Sequence, residues 1–436
     1  MMSVYVAKFG GTSLADAAQF RKVYSIVVSN PARRYIVPSA PGKRSSDDYK
    51  ITDLLYLCHT HVKQAIPFDD VFNIISGRYL GICSELGLKL DLRPALAEIK
   101  QKIGEGISAD YVASRGEYLS GLIMAELLQF EFIDPGAAIF FNESGQLDLD
   151  KTQKILGERL SSAKQAVIPG FYGATPDGAV KTFSRGGSDI TGAIVARCAK
   201  ADLYENWTDV SGFLMTDPRI VKNPKPIEKI TYRELRELAY MGATVLHEEA
   251  IFPVRETGIP INIKNTNQPE HPGTIIVDEA PPSENITGIA GKREFTVIAL
   301  EKAMMNTELG FGRKLLSILE ANAISFEHLP SGIDTISVVI ADSQLDGKLD
   351  KLLEEIRQQC KPDSLEVYPN MALIATVGRG MVYTPGIAAK LFTALAQANI
   401  NVRMIDQGSS ELNIIVGVET NDFEKAVQAI YQAFVK

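Results

Sequence analysis

Lys8-Phe9-Gly10-Gly11-Thr12-Ser13, directly behind the apolar run Val4-Tyr5-Val6-Ala7, is the stretch from which the fold is read. An apolar strand delivers a lysine into a glycine turn, and a helix is expected to follow. Paired glycines let backbone N–H groups approach an anion closely. A helix behind them adds unpaired N–H groups and a positive dipole end. Ser13 and Asp16 stand three apart, a spacing that predicts a capping box with Asp in place of the usual Glu. Lys8 supplies a mobile charge. The expectation is a phosphate cradle formed by Gly10, Gly11, Thr12 and Ser13. It is not a Walker loop, because no G-x-x-x-x-G-K-[ST] occurs in the chain. A purely structural strand–turn–helix is the competing interpretation.

The chain of 436 residues is too long for a single core and is expected to form two or three domains. A formal net charge of −8 argues against a nucleic-acid partner. Cys58, Cys83, Cys198 and Cys360 lie far apart with no C-x-x-C pair, which reads as reduced, incidental thiols. The five histidines have no metal-ligand spacing with them, and no metal centre is expected. No signal peptide and no run of membrane-spanning length is seen. The expected location is the cytoplasm.

Strands and helices alternate as far as about residue 275. Val4–Phe9, Arg34–Val37, Ala137–Phe141, Ala166–Ile168, Val180–Phe183, Asp202–Trp207 and Pro260–Ile263 read as strands. Ile51–Ile66, Ala109–Phe130 and Ile190–Ala201 read as helices. Such alternation predicts an α/β fold with a mainly parallel sheet covered on both faces. Glu279-Ala-Pro-Pro-Ser-Glu-Asn285 is the best linker. Beyond it lies an internal repeat: Gly312–Ser325 overlays Ala388–Asn401 at a shift of 76 residues, so that Lys314 meets Lys390 and Gly332 meets Gly408. Thr335–Ile340 and Glu411–Val418 are the strands that follow. Each copy reads as a ferredoxin-like α+β unit of about 70 residues. The expected domains are 1–283 and 284–436, the latter split near 300–369 and 370–436.

A second glycine turn, Ser184-Arg185-Gly186-Gly187-Ser188-Asp189, repeats the logic of the first ahead of the helix at Ile190. Arginine grips a carboxylate or phosphate with two prongs. A carboxylate beside a phosphate site implies either Mg²⁺ or an aspartate that orients other donors. Two such turns and a lysine are what phosphoryl transfer requires. Ser39-Ala-Pro-Gly42 is placed to close over a small acceptor, and Trp207-Thr-Asp-Val-Ser-Gly-Phe-Leu-Met-Thr-Asp-Pro-Arg219 suits a nucleotide pocket.

Taken together, Lys8–Ser13, Ser39-Ala, Gly116-Glu117, Arg185–Asp189, Trp207-Thr-Asp209 and Thr216-Asp-Pro-Arg219 closely resemble aspartate kinase. The C-terminal repeat resembles a pair of ACT modules. The resemblance covers essentially the whole chain and is nearest to the monofunctional, lysine-sensitive type; with the sequence ending at Lys436, a fused homoserine dehydrogenase is not expected. It implies an amino-acid-kinase three-layer sandwich followed by two ACT modules. It also implies transfer of phosphoryl from ATP to the side-chain carboxylate of L-aspartate, with Mg²⁺ held mainly by the nucleotide phosphates. Lys8 would stabilise the moving phosphoryl group and Asp189 would organise the site, with Gly186 and Gly187 at the phosphates. Arg185 would hold the substrate α-carboxylate and Glu117 the α-ammonium, with Ser39, Thr52, Phe171 and Ser188 lining the pocket. Thr208, Asp209, Leu214, Arg219 and Asn267 match the nucleotide side. Leu214 stands where some relatives have an aromatic residue, and Asn267 where some have a lysine, with Lys264 three positions earlier.

The ACT resemblance implies an amino-acid effector, lysine foremost, near Met305, Gly310, Phe311, Gly312, Ser325, Glu327, Ser331 and Asp334. It also implies a homodimer or a dimer of dimers through the ACT modules, with no membrane or nucleic-acid partner. A kinase for glutamate or acetylglutamate and a catalytically silent amino-acid sensor are the alternatives.

Overall fold

The computed structural model describes residues 3–184, 186–243, 252–282 and 284–435. Arg185 and Ser283, both used in the sequence reading, lie outside the described residues. The chain forms two compact units, Met1–Phe213 with Pro226–Tyr232 and Val245–Ala280, and Leu214–Lys225 with Arg233–Thr244 and Pro281–Lys436. Two segments ahead of the expected linker therefore belong to the second unit.

The elements before residue 280 run β1 (Tyr5–Phe9), α1 (Ala17–Val28), β2 (Arg33–Pro38), α2 (Ile51–Lys63), α3 (Asp69–Leu86), α4 (Arg93–Gly104) and α5 (Ala109–Leu128). Then come β3 (Glu131–Phe132), α6 (Leu149–Ser162), β4 (Ala166–Val167), β5 (Tyr172–Ala174), β6 (Val180–Thr182), α7 (Gly187–Cys198) and β7 (Leu203–Thr208). The segment closes with β8 (Phe213–Leu214), β9 (Pro226–Ile227), β10 (Lys229–Thr231), α8 (Tyr232–Tyr240), α9 (Phe252–Arg255), β11 (Ile261–Asn265) and β12 (Thr274–Val277). Eight strands form one sheet in the order β10-β12-β11-β7-β1-β2-β4-β3, all pairs parallel except β11 with β12.

Strand alternation sorts this sheet into two faces. Ala7, Phe9, Ile36, Val167 and Trp207 enter the main apolar core with residues of α1, α2, α3 and α5. α7 packs on β1, β2 and β7 from the other side, where Tyr204 lies so close that a Cβ on Gly192 would sit 2.4 Å from its hydroxyl. The result is the expected helix–sheet–helix sandwich. Two expected strands differ. Ala137–Phe141 is a 3-10 turn ending at Ala137 followed by isolated bridges at Phe140 and Phe141, and Val180–Thr182 pairs only with β5, as a hairpin outside the large sheet.

The second unit continues with β13 (Gly288–Glu301), α10 (Phe311–Ala321), β14 (Thr335–Ala341), α11 (Asp342–Leu345), α12 (Leu349–Cys360), β15 (Ser364–Val377), α13 (Ile387–Gln397), β16 (Met404–Asp406), β17 (Asn413–Glu419) and α14 (Phe423–Phe434). Both sequence repeats are present, but they share one sheet, ordered β14-β13-β15-β17-β16. The 14-residue strands β13 and β15 run through both copies, with a register irregularity between Lys292 and Val297. The expected break at 369/370 therefore falls inside a continuous strand. Within this unit Glu234 of α8 is fully buried and pairs with Arg379, while also accepting from Thr287 Oγ1 at 2.5 Å and from the Arg379 N–H at 2.9 Å.

Candidate active site

The site lies where parallel strands end, the usual location in open α/β sheets. Backbone hydrogen bonds continue one to three residues past the strands and hold the loops together. Gly10 N–H donates to Trp207 O at 2.9 Å, Ser39 N–H to Phe9 O at 3.0 Å, and Gly170 N–H to Pro38 O at 3.0 Å. A cavity of about 240 Å³ opens there. It is lined by Lys8, Gly10 and Gly11, by Ser39 and Thr52, by Glu117 and Phe171, and by Gly186 through Asp189. The structure thus gathers both glycine turns, Lys8, Asp189 and five of the named substrate-side positions around one space.

The first turn differs from its expected geometry. Gly11–Leu14 is a 3-10 turn, and α1 begins only at Ala17 with Asp16 as its own cap, accepting from Gln19 N–H at 2.9 Å. No capping box forms, because the intervening turn carries Ser13 away from the α1 N-terminus; Ser13 Oγ instead pairs with Thr266 Oγ1 at 2.8 Å. Close backbone approach is what the glycines provide here. Gly42 N–H donates to Gly11 O at 2.8 Å, and a Cβ on Gly42 would lie 2.7 Å from Gly11 C. Arg78 anchors the loop after Gly42, donating to Gly42 O at 3.2 Å and to Asp48 at 2.7 Å.

The second turn does sit at a helix start. Gly186 caps α7 in the left-handed region at φ 58°, and its carbonyl accepts from the N–H groups of Asp189 at 2.8 Å and Ile190 at 3.0 Å. Phe171, itself at φ 83°, is held by a bond from its N–H to Thr191 Oγ1 at 2.9 Å. It crowds Gly187, where a Cβ would come within 2.4 Å of the ring. The Gly187 side of the turn therefore admits no side chain.

Charge is arranged at both ends of the cavity. Lys8 Nζ lies 2.5 Å from Asp189 Oδ1, with both side chains mostly buried. Glu117 on α5 is 5% exposed, and its Oε2 has no hydrogen-bond partner among the described residues. Burial pushes its carboxyl up to about 8, against the opposing pull of the Ala40 N–H and the Arg115 charge. Gly116 lets the Ser39–Ala40 loop reach this helix, since a Cβ there would lie 2.7 Å from Ala40 Cβ.

The nucleotide-side positions are more dispersed. Thr208 ends β7 and Asp209 follows it, and Thr208 O accepts from Thr266 N–H at 2.9 Å. Asn267 Oδ1 accepts from Lys22 Nζ at 2.8 Å. Lys264 lies 5.2 Å from the centre of the Trp207 ring, and burial lowers its pKa. Its register neighbour is Trp207, which puts it on the opposite face of the sheet from Lys8. Leu214 and Arg219 belong to the second unit, where Arg219 pairs with Asp217 at 2.6 Å.

Among the effector positions, Met305 and Phe311 are core residues packed with Leu315, Ile318 and Leu319, so their side chains are not free to contact a ligand. Gly310, Ser325 and Ser331 are exposed and Gly312 is half-buried. Glu327 accepts a hydrogen bond from Tyr240, whose hydroxyl is pushed up to about 12 by burial and this carboxylate. Asp334 Oδ1 is buried without a partner among the described residues.

Asn206, Arg78, Arg33 and Glu205 are not among the residues the sequence singles out, and Arg33 and Glu205 form a buried cluster with Trp207. Arg33 grips Glu205 at 2.7 and 3.1 Å, and Trp207 Nε1 donates to Glu205 at 2.9 Å. Glu205 and Asn206 are adjacent polar residues inside a strand read as buried, a pattern that names neither residue's partner.

Two glycine turns, a lysine and a buried carboxylate around one small cavity at the strand ends fit the class of small-molecule kinases. The model of the Amino acid kinase family matches residues 3–265, and that of the ACT domain matches residues 374–434. The chain is 38% identical to Aspartokinase 3 of Bacillus subtilis over 98% of both chains. Its structure resembles the aspartate kinase of Clostridium acetobutylicum, with a TM-score of 0.93 at 61% identity, covering 99% of this chain and 100% of that one. It also resembles E. coli aspartokinase III in complex with aspartate and ADP, with a TM-score of 0.74 at 26% identity, covering 99% of this chain and 100% of that one. The chain belongs to the amino acid kinase family and, within it, to the aspartokinases.

Proposed function

We propose that the chain transfers the γ-phosphoryl group of ATP to the side-chain carboxylate of L-aspartate, giving 4-phospho-L-aspartate and ADP. The observation that carries the site assignment is Glu117, a buried carboxylate with an unpartnered oxygen sharing one small cavity with Lys8 and both glycine turns. An amino acid brings an ammonium to the first and presents a carboxylate to the second. Arg185 takes the α-carboxylate, while Ser39, Thr52, Phe171 and Ser188 complete the wall.

The acceptor carboxylate is already ionised at neutral pH, so no general base is needed. Lys8 and the N–H groups of the glycine turns stabilise the charge that develops on the transferring group. Positioning supplies the remainder. Mg²⁺ carried by ATP would be held mainly by the nucleotide phosphates and would offset their charge, while Asp189 Oδ1 faces Lys8 and Asn206. Among the described residues no cluster of His, Cys, Asp or Glu is placed to hold a metal.

Residues 1–283 are the catalytic part and 284–436 the regulatory part, paired in a homodimer or dimer of dimers, in the cytoplasm. Lysine is the proposed effector, with its ε-ammonium at Glu327 or Asp334; the E. coli aspartokinase III structure with lysine and aspartate supports this choice. Inhibition requires lysine to bind a low-activity state better than the active one. The test is ADP release with aspartate, glutamate or N-acetylglutamate, repeated with lysine, threonine and methionine. Turnover with glutamate but not aspartate overturns the substrate, and insensitivity to lysine overturns the effector.

A further inference from the structure

Lys8 and Asn206 are direct neighbours in the parallel pairing of β1 with β7. That register puts both side chains on the α7 face of the sheet, while the next pair, Phe9 and Trp207, stacks on the other face at 5.9 Å. Asn206 is 3% exposed and does not line the cavity. Its Nδ2 donates to Asp189 Oδ1 at 2.8 Å, and its Oδ1 accepts from Lys8 Nζ at 3.4 Å. With the 2.5 Å Lys8–Asp189 pair, the three groups close a ring.

This ring answers a physical difficulty. A lysine paired to a buried carboxylate must redirect its charge toward a phosphoryl group as the reaction proceeds. Doing so leaves the carboxylate desolvated, which is costly. A second donor on the same carboxylate oxygen lowers that cost. An amide supplies this donor and also an acceptor that aims the ammonium, without adding charge.

We propose that Asn206 is a positioning residue for phosphoryl transfer, holding Asp189 and Lys8 in register so that the lysine can turn to the moving group. The proposal rests on the aspartate kinase reading above. Its test compares wild type, N206L and N206D for kcat and KM across pH 5.5–9, with thermal melting as a check on folding. N206L is expected to lose on the order of 10²-fold in kcat, the scale of a roughly 1 Å misplacement of a catalytic group, with the KM for aspartate and ATP little changed.

N206D gives the readout that a structural role does not move. When protonated, the introduced carboxyl has a donor and an acceptor where the amide had them. When ionised, it opposes Asp189. Its kcat should therefore rise relative to wild type as pH falls. If N206L does not fold, the N206D profile decides alone. A wild-type-like kcat in N206L, or an N206D-to-wild-type ratio flat across pH, overturns the proposal while the kinase reading stands. Absence of aspartate-dependent turnover in wild type removes both.

Discussion

Glu117 makes a quantitative prediction about protons. Its carboxyl sits at about 8 in the ligand-free protein, raised chiefly by burial. At pH 7 a group of that pKa is roughly nine-tenths protonated. Pairing with a substrate ammonium requires the carboxylate, so binding aspartate should release roughly 0.9 proton at pH 7 and about 0.1 at pH 9. Deprotonation at pH 7 costs on the order of 1 kcal/mol relative to alkaline pH, so aspartate should bind roughly tenfold more tightly as pH rises past 8. The sign for stability is the reverse. The folded pKa exceeds the unfolded one, so Glu117 favours the ligand-free fold most at acidic pH, and that contribution is lost as pH rises through about 8. Titration calorimetry at pH 7 in buffers of different ionisation enthalpy reads the proton count directly. Glu117→Gln should abolish the release and weaken binding. A count near zero for wild type at pH 7 refutes the reasoning, because the carboxyl then either starts ionised or stays protonated in the complex.

Other perturbations test other parts. Lys8→Ala should lower kcat by about 10²–10³, the scale for losing one oxyanion donor, with circular dichroism still showing a folded protein; near-normal turnover removes its assigned role. Gly42→Ala drives a Cβ into Gly11, so it should cost about 1–3 kcal/mol of stability and depress kcat/KM, measured by denaturant unfolding and steady-state kinetics. Arg33→Leu strands the buried Glu205 carboxylate and should cost roughly 3–5 kcal/mol. The double variant with Glu205→Leu should recover part of that loss, and a double variant less stable than the single contradicts the ion-pair account.

Sequence legibility followed locality. Lys8 and its glycines were readable because strand, turn and charge are contiguous, and the second turn because it repeats the first. The parallel sheet was readable from alternation. Asn206 was not, because its partner Lys8 is 198 residues away and strand register leaves no local mark. Ser13 was misread because the spacing to Asp16 fits a cap equally well whether or not a 3-10 turn intervenes. In Ala137–Phe141 the residues Ala138, Ile139 and Phe141 are buried, and burial alone does not distinguish a strand from a turn. The two ACT copies read as separate because their helices repeat, whereas β13 and β15 cross from one copy to the other. Phe171 and Thr52 came only from the resemblance, since no spacing marks pocket walls drawn from distant segments.

The central claim is that this cavity makes an acyl phosphate on aspartate. Hydroxylamine trapping measures it most directly, since an acyl phosphate yields a hydroxamate. With ATP, Mg²⁺ and L-aspartate, the wild-type protein should form β-aspartyl hydroxamate in step with ADP, and Lys8→Ala should form little of either. ADP release without hydroxamate, or hydroxamate from glutamate but not from aspartate, contradicts the claim.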